Sequence, residues 1–207
     1  MLSAQLIADL QDRLTCEWDG QISDLFVPTS DMCVPTDKFL MTVHAQHFAN
    51  FGLWHTEDQA RLPQATDAEI AEEKRTIDRT NQRRNDLAEE CDALLLDYLA
   101  ARKLPSPTAE LHSETPGMII DRLSILSLKL FHTREEIDRT DAPPGHAERN
   151  RERHRILSEQ RGDLVSCLDH LWTQVLRGER RVKQYRQLKM YNDPTLNPAI
   201  YRGAGNR

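Results

Sequence analysis

The stretch 84–99, RNDLAEECDALLLDYL, lines up without a gap on 161–176, RGDLVSCLDHLWTQVL, at an offset of 77 residues. Arg84, Asp86, Leu87, Asp92, Leu94 and Leu99 return as Arg161, Asp163, Leu164, Asp169, Leu171 and Leu176. The same offset carries an upstream block, where Leu53, His55 and Thr56 return as Leu130, His132 and Thr133. Conservative pairs lie between: Val43 with Ile120, Phe48 with Ile125, Trp54 with Phe131, Asp58 with Glu135. A helical hairpin repeated within one chain accounts for this clustering of matches. Two unrelated amphipathic hairpins of like period would match in part by composition, and that alternative stands beside it.

Working outward, Thr36 or Asp37 is placed to cap a first long helix to about Leu62, and Thr66 or Asp67 a second to about Lys103. Ser113–Pro116 open a third to about Thr140, with proline tolerated in the first turn. A fourth runs from about Ala147 to Gly178. Short loops make consecutive helices antiparallel neighbours. The expected fold is all-α: a pseudo-two-fold four-helix bundle of two related hairpins (36–103 and 113–178). A helix over about 2–18 precedes it and a basic tail, 179–207, follows, all in one domain of 1–207.

Composition agrees. Aromatic residues are 6% of the 207 and charged residues 29%, which suits a helical soluble domain with a sizeable core. No apolar run has the length of a membrane span, and the start, MLSAQLIADLQDR, lacks the basic-then-apolar order of a secretory signal. Cys16, Cys33, Cys91 and Cys167 form no CxxC pair, so a cytoplasmic protein with reduced thiols is expected. The net charge of −6 is uneven: from Arg177 onward eight Lys or Arg face Glu179 and Asp193, a segment of +6 on a body of −12. Such a tail meets an anionic partner or pairs with its own bundle, and self-pairing is preferred. Nucleic acid is not expected, because the body repels phosphates and no binding motif is present.

Helical periodicity then singles out polar residues on apolar faces. On the first long helix Leu40, Val43, Phe51, Trp54 and Leu62 centre the inward arc, and His47 and Asp58 fall inside it. Asn81 and Arg84 share the second stripe with Ile70, Ile77, Cys91 and Leu95. Under the 77-residue offset His47 maps to Ser124, Asn81 to Ser158 and Arg84 to Arg161, polar each time. Folding each hairpin about its loop puts Arg84, Arg161, His47, Ser124 and Asp121 near one level. Two buried guanidiniums are costly unless paired. The layer is therefore either a register-fixing network or a pocket in which Arg84 and Arg161 hold an anionic ligand. A second layer near the turns would balance Asp58, Arg61, Lys74, Glu135 and Asp138 among themselves.

Other chemistries fit less well. His55 with Asp58 and His132 with Glu135 reverse the Glu-x-x-His order of dinuclear bundle sites, so no metal is expected. Glu69-x-x-Glu72 and Glu89-x-x-Asp92 echo the acidic pairs of helical nucleotide pyrophosphohydrolases. Here, however, both lie on one helix, roughly 25–30 Å apart at 1.5 Å per residue. No phosphate-cradling Gly loop, nucleophile elbow or zinc pattern occurs, and no cofactor is expected.

FGLWHTEDQAR (51–61), IDRTNQRRNDL (77–87), ETPGMIIDRLSILSLKLFHTREE (114–136) and YRQLKMYNDPTLNP (185–198) together resemble the bacterial family catalogued as domain of unknown function 4254. The motif residues are Trp54, His55, Glu57, Asp58, Arg61, Asn81, Arg84, Asn85, Asp121, Arg122, Lys189, Tyr191, Asn192 and Pro194. DRLSIL also resembles the D-[KR]-[LI]-T-I-L helix of another short bacterial family. Such families are frequently encoded beside glycosyltransferases of surface polysaccharide or lipopolysaccharide, which implies a pathway context and no catalytic residues. The expectation is a binding protein or enzyme acting on an anionic small molecule, phosphosugar or glycan intermediate of that pathway. Its candidate ligand-binding residues are His47, Trp54, Asp58, Asn81, Arg84, Asp121, Arg161, Lys189 and Tyr191. The alternative is a non-catalytic helical adaptor docking on a glycosyltransferase. A homodimer is neither required nor excluded by two-fold character within one chain.

Overall fold

The computed structural model describes residues 2–19, 36–188, 193, 195–198 and 202. Among them are five helices: α1 (Ala4–Trp18), α2 (Thr36–Gln59), α3 (Asp67–Ala100), α4 (Pro116–Asp138) and α5 (His146–Leu176). Two short strands, β1 (Glu110–Leu111) and β2 (Arg180–Arg181), pair in parallel. The described chain is thus mostly helical, and none of its helices is long and apolar enough to cross a membrane.

Local chemistry sets the helix ends. The Thr66 hydroxyl accepts the Glu69 N–H, and the Glu69 carboxylate accepts the Thr66 N–H at 2.8 Å, a reciprocal cap that starts α3. Thr115 caps α4 ahead of Pro116. The helices stop two or three residues short of the expected positions, and after α3 and α5 a left-handed residue turns the chain. Gly178 (φ 73°) closes α5, with its N–H on the Val175 carbonyl at 3.0 Å and the Glu179 N–H on Gln174 at 2.9 Å. Lys103 (φ 59°) closes α3 in the same way, where glycine would be unstrained. The side chains of Thr36 and Asp37 lie outside the described residues, so the cap expected there is not described.

Helices α2 and α3 pack as one hairpin and α4 and α5 as another. Between the hairpins, α2 and α4 run side by side in the same direction. Asn50 Nδ2 donates to Asp121 Oδ1 at 3.0 Å, His47 Nδ1 meets Ser124 Oγ at 2.7 Å, and the Trp54 indole stacks on the His132 ring at 4.6 Å. The N-terminal helix is no appendage. Ala4, Ile7, Ala8, Gln11 and Thr15 are completely buried, because α1 lies in the groove formed by α2, α4 and α5. Helix α3 touches α4, whereas α1 stands between α5 and α2. One core cluster joins Ile7 and Leu10 to Val43, Leu95, Leu99, Ile120, Leu123, Leu168, Trp172 and Val175, and reaches Val182 past β2. Leu62 and Ile70, expected inward, are exposed, since the α2–α3 turn projects beyond this core.

Repeat-related aspartates hold the inserted helix ends. Asp92 on α3 accepts the Gly117 N–H of α4 at 2.7 Å, and Asp169 on α5 accepts the Ala4 N–H of α1 at 2.8 Å. Each satisfies an amide left without a partner at a helix start and meets its positive dipole end. The start of the tail is tied to the rest of the chain: Arg180 pairs with Glu110 of β1 at 2.9 Å, and the Gln187 N–H donates to Glu89 Oε1 of α3 at 2.8 Å.

A Cβ on Gly117 would lie 2.3 Å from the Ala88 carbonyl oxygen and 2.9 Å from Asp92 Cγ. Gly117→Ala is therefore expected to force α4 off α3 and to cost about 1–3 kcal/mol by chemical denaturation. Lys103→Gly should stabilise by about 1 kcal/mol in the same assay, because it relieves the left-handed strain.

Candidate functional site

Two polar networks meet in the core beneath the candidate residues. Asp121 Oδ1 accepts from Asn50 at 3.0 Å and from Gln46 at short range; Asn50 Nδ2 also donates to Ser124 Oγ at 2.9 Å. Ser124 meets His47 Nδ1 at 2.7 Å, and His47 Nε2 meets Thr15 Oγ1 at 3.0 Å. Beyond the Thr15–Ser127 contact at 3.4 Å, Ser127 donates to Asp12 Oδ1 at 2.6 Å, and Asp12 Oδ2 accepts from Arg161 Nη2 at 2.5 Å. The Thr15 hydroxyl donates its hydrogen to the Gln11 carbonyl, so His47 Nε2 carries the proton and Ser124 donates to Nδ1. Burial pushes the His47 imidazole down to about 3, which keeps it neutral.

His47 and Arg161 are thus committed inside the protein. Arg161 does not join Arg84 in a clamp: its carboxylate partner comes from α1, and its side chain is only 15% exposed. Arg84 is less well served. Its Nε lies 3.8 Å from Asp121 Oδ1, and Nη2 reaches Asn85 Oδ1 only at 3.4 Å; the buried Nε atoms of both arginines lack a hydrogen-bond partner among the described residues, so the two differ in the nearness of their carboxylates.

Arg84 lines a groove of about 520 Å³ between α2, α3 and α4, together with Asn50, Leu53, Trp54, Glu57, Asp58, Arg61, Asn81, Ile125 and Leu128. Glu57 and Arg61 neutralise each other at 2.7 Å. The side chains of Asp58 and Asn81 make no polar contact among the described residues. The groove therefore gathers four of the nine sequence candidates, Trp54, Asp58, Asn81 and Arg84, with polar groups to spare, and Asp121 lies at its inner edge. Lys189 and Tyr191 lie outside the described residues. The second polar layer does not assemble across helices: Arg61 pairs with Glu57, Lys74 with Asp78 and Glu135 with His132, each within its own helix. Glu69, Glu72, Glu89 and Asp92 share α3, and Asp92 is occupied by α4.

Sequence reading missed Asp12, Thr15 and Gln46. Gln11 and Thr15 do break the apolar stripe of α1 (Ala4, Ile7, Ala8, Leu14), which is the signal that this helix carries part of the polar chain.

With this geometry in place, the comparisons with known proteins can be read. A family model described as "Protein of unknown function (DUF4254)" matches residues 40–184. The chain belongs to the DUF4254 family. No curated protein and no solved structure matches it. Of the ten described residues through which the chain resembles the family, all but His55 line either the groove above or a second one on the far side of Arg84.

The buried chain also fixes a response to pH. His47, at about 3 in the folded state, resists a proton that the unfolded chain takes up below its ordinary 6.5, so its contribution falls as pH drops from 6.5 toward 3. Asp92 acts oppositely. Burial raises its carboxyl from 3.8 to about 6 despite the Thr115 and Gly117 hydrogen bonds, so the folded protein gains stability as pH falls through 6 toward 3.8. The two slopes largely cancel. Asp92→Asn keeps an acceptor for Gly117 but removes the compensating gain. This variant should be more stable than the parent at pH 8 and should lose about 2 kcal/mol relative to it between pH 6.5 and 4.5. Parallel pH profiles in urea titrations would show the assignment to be wrong.

Proposed function

We propose that the Arg84 groove binds a saccharide bearing an anionic group, in the cytoplasmic surface-carbohydrate context that the family resemblance implies. Trp54 offers an aromatic wall, Asp58 and Asn81 offer uncommitted partners for hydroxyls, and Arg84 offers a guanidinium with no close carboxylate. The observation that carries this reading is the contrast between the two arginines: Arg161 already has its carboxylate, and Arg84 has only a distant share of one.

The internal repeat supports it. Equivalent residues of α2 and α4 meet each other, His47 with Ser124 at 2.7 Å and the His55 and His132 rings at 6.1 Å, as a pseudo-two-fold axis between parallel helices requires. On this reading the counterpart of the open groove lies between α4, α5 and α2, where α1 is seated. There Asp12 is held by Arg161 and Ser127, the counterparts of Arg84 and Asn50, and Trp18 packs on Phe48 and Phe51 at 5.1 and 5.3 Å. The filled half thus offers a template for the open one: a carboxylate on arginine beside a ring on an apolar wall.

The alternative, a helical adaptor docking on a glycosyltransferase, draws on Met41 and Phe48, 70% and 56% exposed on the outer face of α2. Met41→Ser with Phe48→Ser would abolish such docking and leave Arg84-dependent binding intact.

Arg84→Met is expected to melt at or above the parent temperature and to weaken binding of uronate-bearing or phosphorylated saccharides by about 2–5 kcal/mol in calorimetric titrations. Arg161→Met should do the reverse. It orphans Asp12, which is half-exposed, at a cost of about 1–3 kcal/mol in stability, and leaves affinity unchanged. Equal thermal losses in both variants, with no Arg84-dependent ligand in the panel, would overturn the groove assignment.

A further inference from the structure

Past the Arg84 guanidinium, a second groove of about 560 Å³ opens between α3, α4 and the chain beyond β2, and Asn85 and Tyr185 are among its walls. Its formal charge is acidic, which suits a neutral arm rather than a second anionic group, and three of its acids already hold a partner. Glu89 accepts the Gln187 N–H at 2.8 Å, Asp92 the Gly117 N–H at 2.7 Å, and Glu114 holds Arg122 at 2.7 Å. What remains toward the open space is Arg84, the Asn85 amide and the Tyr185 ring, which is 40% exposed. The arrangement repeats that of the first groove: an aromatic ring and an amide on one side of the same guanidinium.

Because both grooves share Arg84, a ligand whose charge sat at its end would fill only one of them. The amount of charge is limited too. Arg61 and Arg122 are each held by a glutamate at 2.7 Å, and Arg84 is shared with Asp121 at 3.8 Å, so the site offers less than one free positive charge. A doubly charged terminal phosphate would face Asp121 without a second cation.

We infer that the ligand carries a single negative charge between two arms, an internal phosphodiester or an internal uronate in a saccharide chain, with one arm toward Trp54 and the other toward Tyr185. This rests on the reading of the Arg84 groove as a ligand site, and the experiment separates the two. Three probes are titrated calorimetrically into the full-length protein: glucose 1-phosphate, two hexoses joined by a phosphodiester, and a trisaccharide with a central glucuronate. One of the two-armed probes should bind at least tenfold more tightly than glucose 1-phosphate, and which one does identifies the source of the charge. Tyr185→Ala should erase that advantage and leave glucose 1-phosphate binding as it was. Arg84→Met should abolish binding of every probe. If the two-armed probes gain nothing, or Tyr185→Ala leaves their advantage intact, the second groove is no arm site, and the single-groove reading survives as long as Arg84→Met still abolishes binding. If no probe binds in a way that depends on Arg84, both readings fall.

Discussion

The structure depends on the insertion of α1 into the groove between α2, α4 and α5, and on the polar chain that this insertion completes. A helix that buries Gln11, Thr15 and, next to it, His47 must supply a partner for each polar atom, because an unsatisfied group in the core costs about as much as several well-packed methyl groups contribute. Thr15 and Asp12 do so for α1, Ser124 and Ser127 for α4, and Asn50 and Gln46 for α2, while the Gln11 and Gln46 side-chain oxygens are left without a hydrogen-bond partner among the described residues. Side chains from three helices must coincide to within hydrogen-bonding distance. That condition fixes register more tightly than apolar packing, which tolerates sliding. A neutral His47, donor at one nitrogen and acceptor at the other, is suited to the middle of such a chain.

Much of this was legible in the sequence, and the parts that were not share a cause. Long periodic segments, the Thr66 and Thr115 caps and the hairpin pairing follow from local rules, and they appear where expected. The polar coincidences at His47/Ser124 and Arg84/Arg161 were visible because the 77-residue offset aligned them. What periodicity does not encode is which helix fills the space between two hairpins. Treated as an addition to a four-helix bundle, α1 was given no partner, so Asp12 was never set against Arg161, and the two arginines looked alike. Likewise Asp92 and Asp169 matched in sequence without a role, because a carboxylate that caps a helix from another element leaves no mark in local spacing.

The two hairpins differ in what covers them. If a duplicated hairpin had kept its symmetry, each half would expose an arginine in an equivalent groove. The chain that precedes the first hairpin removes that equivalence. By placing Asp12 on Arg161 and Trp18 on Phe48 and Phe51, it occupies one groove. The counterpart of that contact on the other side is only Asp121 at 3.8 Å, a carboxylate whose nearer oxygen already accepts two amide donors.

A guanidinium in that position is held in an intermediate condition that matters for binding. Fully paired, it would give a ligand nothing, since displacing Asp121 would cost as much as the new contact returned. Fully exposed, it would be hydrated and weakly selective. With a side chain 25% exposed and a weak internal partner, Arg84 has lost part of its hydration on folding and has replaced it only in part. On the proposed reading, an incoming oxyanion would gain a charge-assisted bond without having to strip a full water shell or break a strong pair. The polar chain behind Asp121 keeps that carboxylate from swinging forward to close the gap. Asn50 and Gln46 draw Asp121 back toward Ser124 and His47, so the network that fixes helix register also leaves Arg84 available.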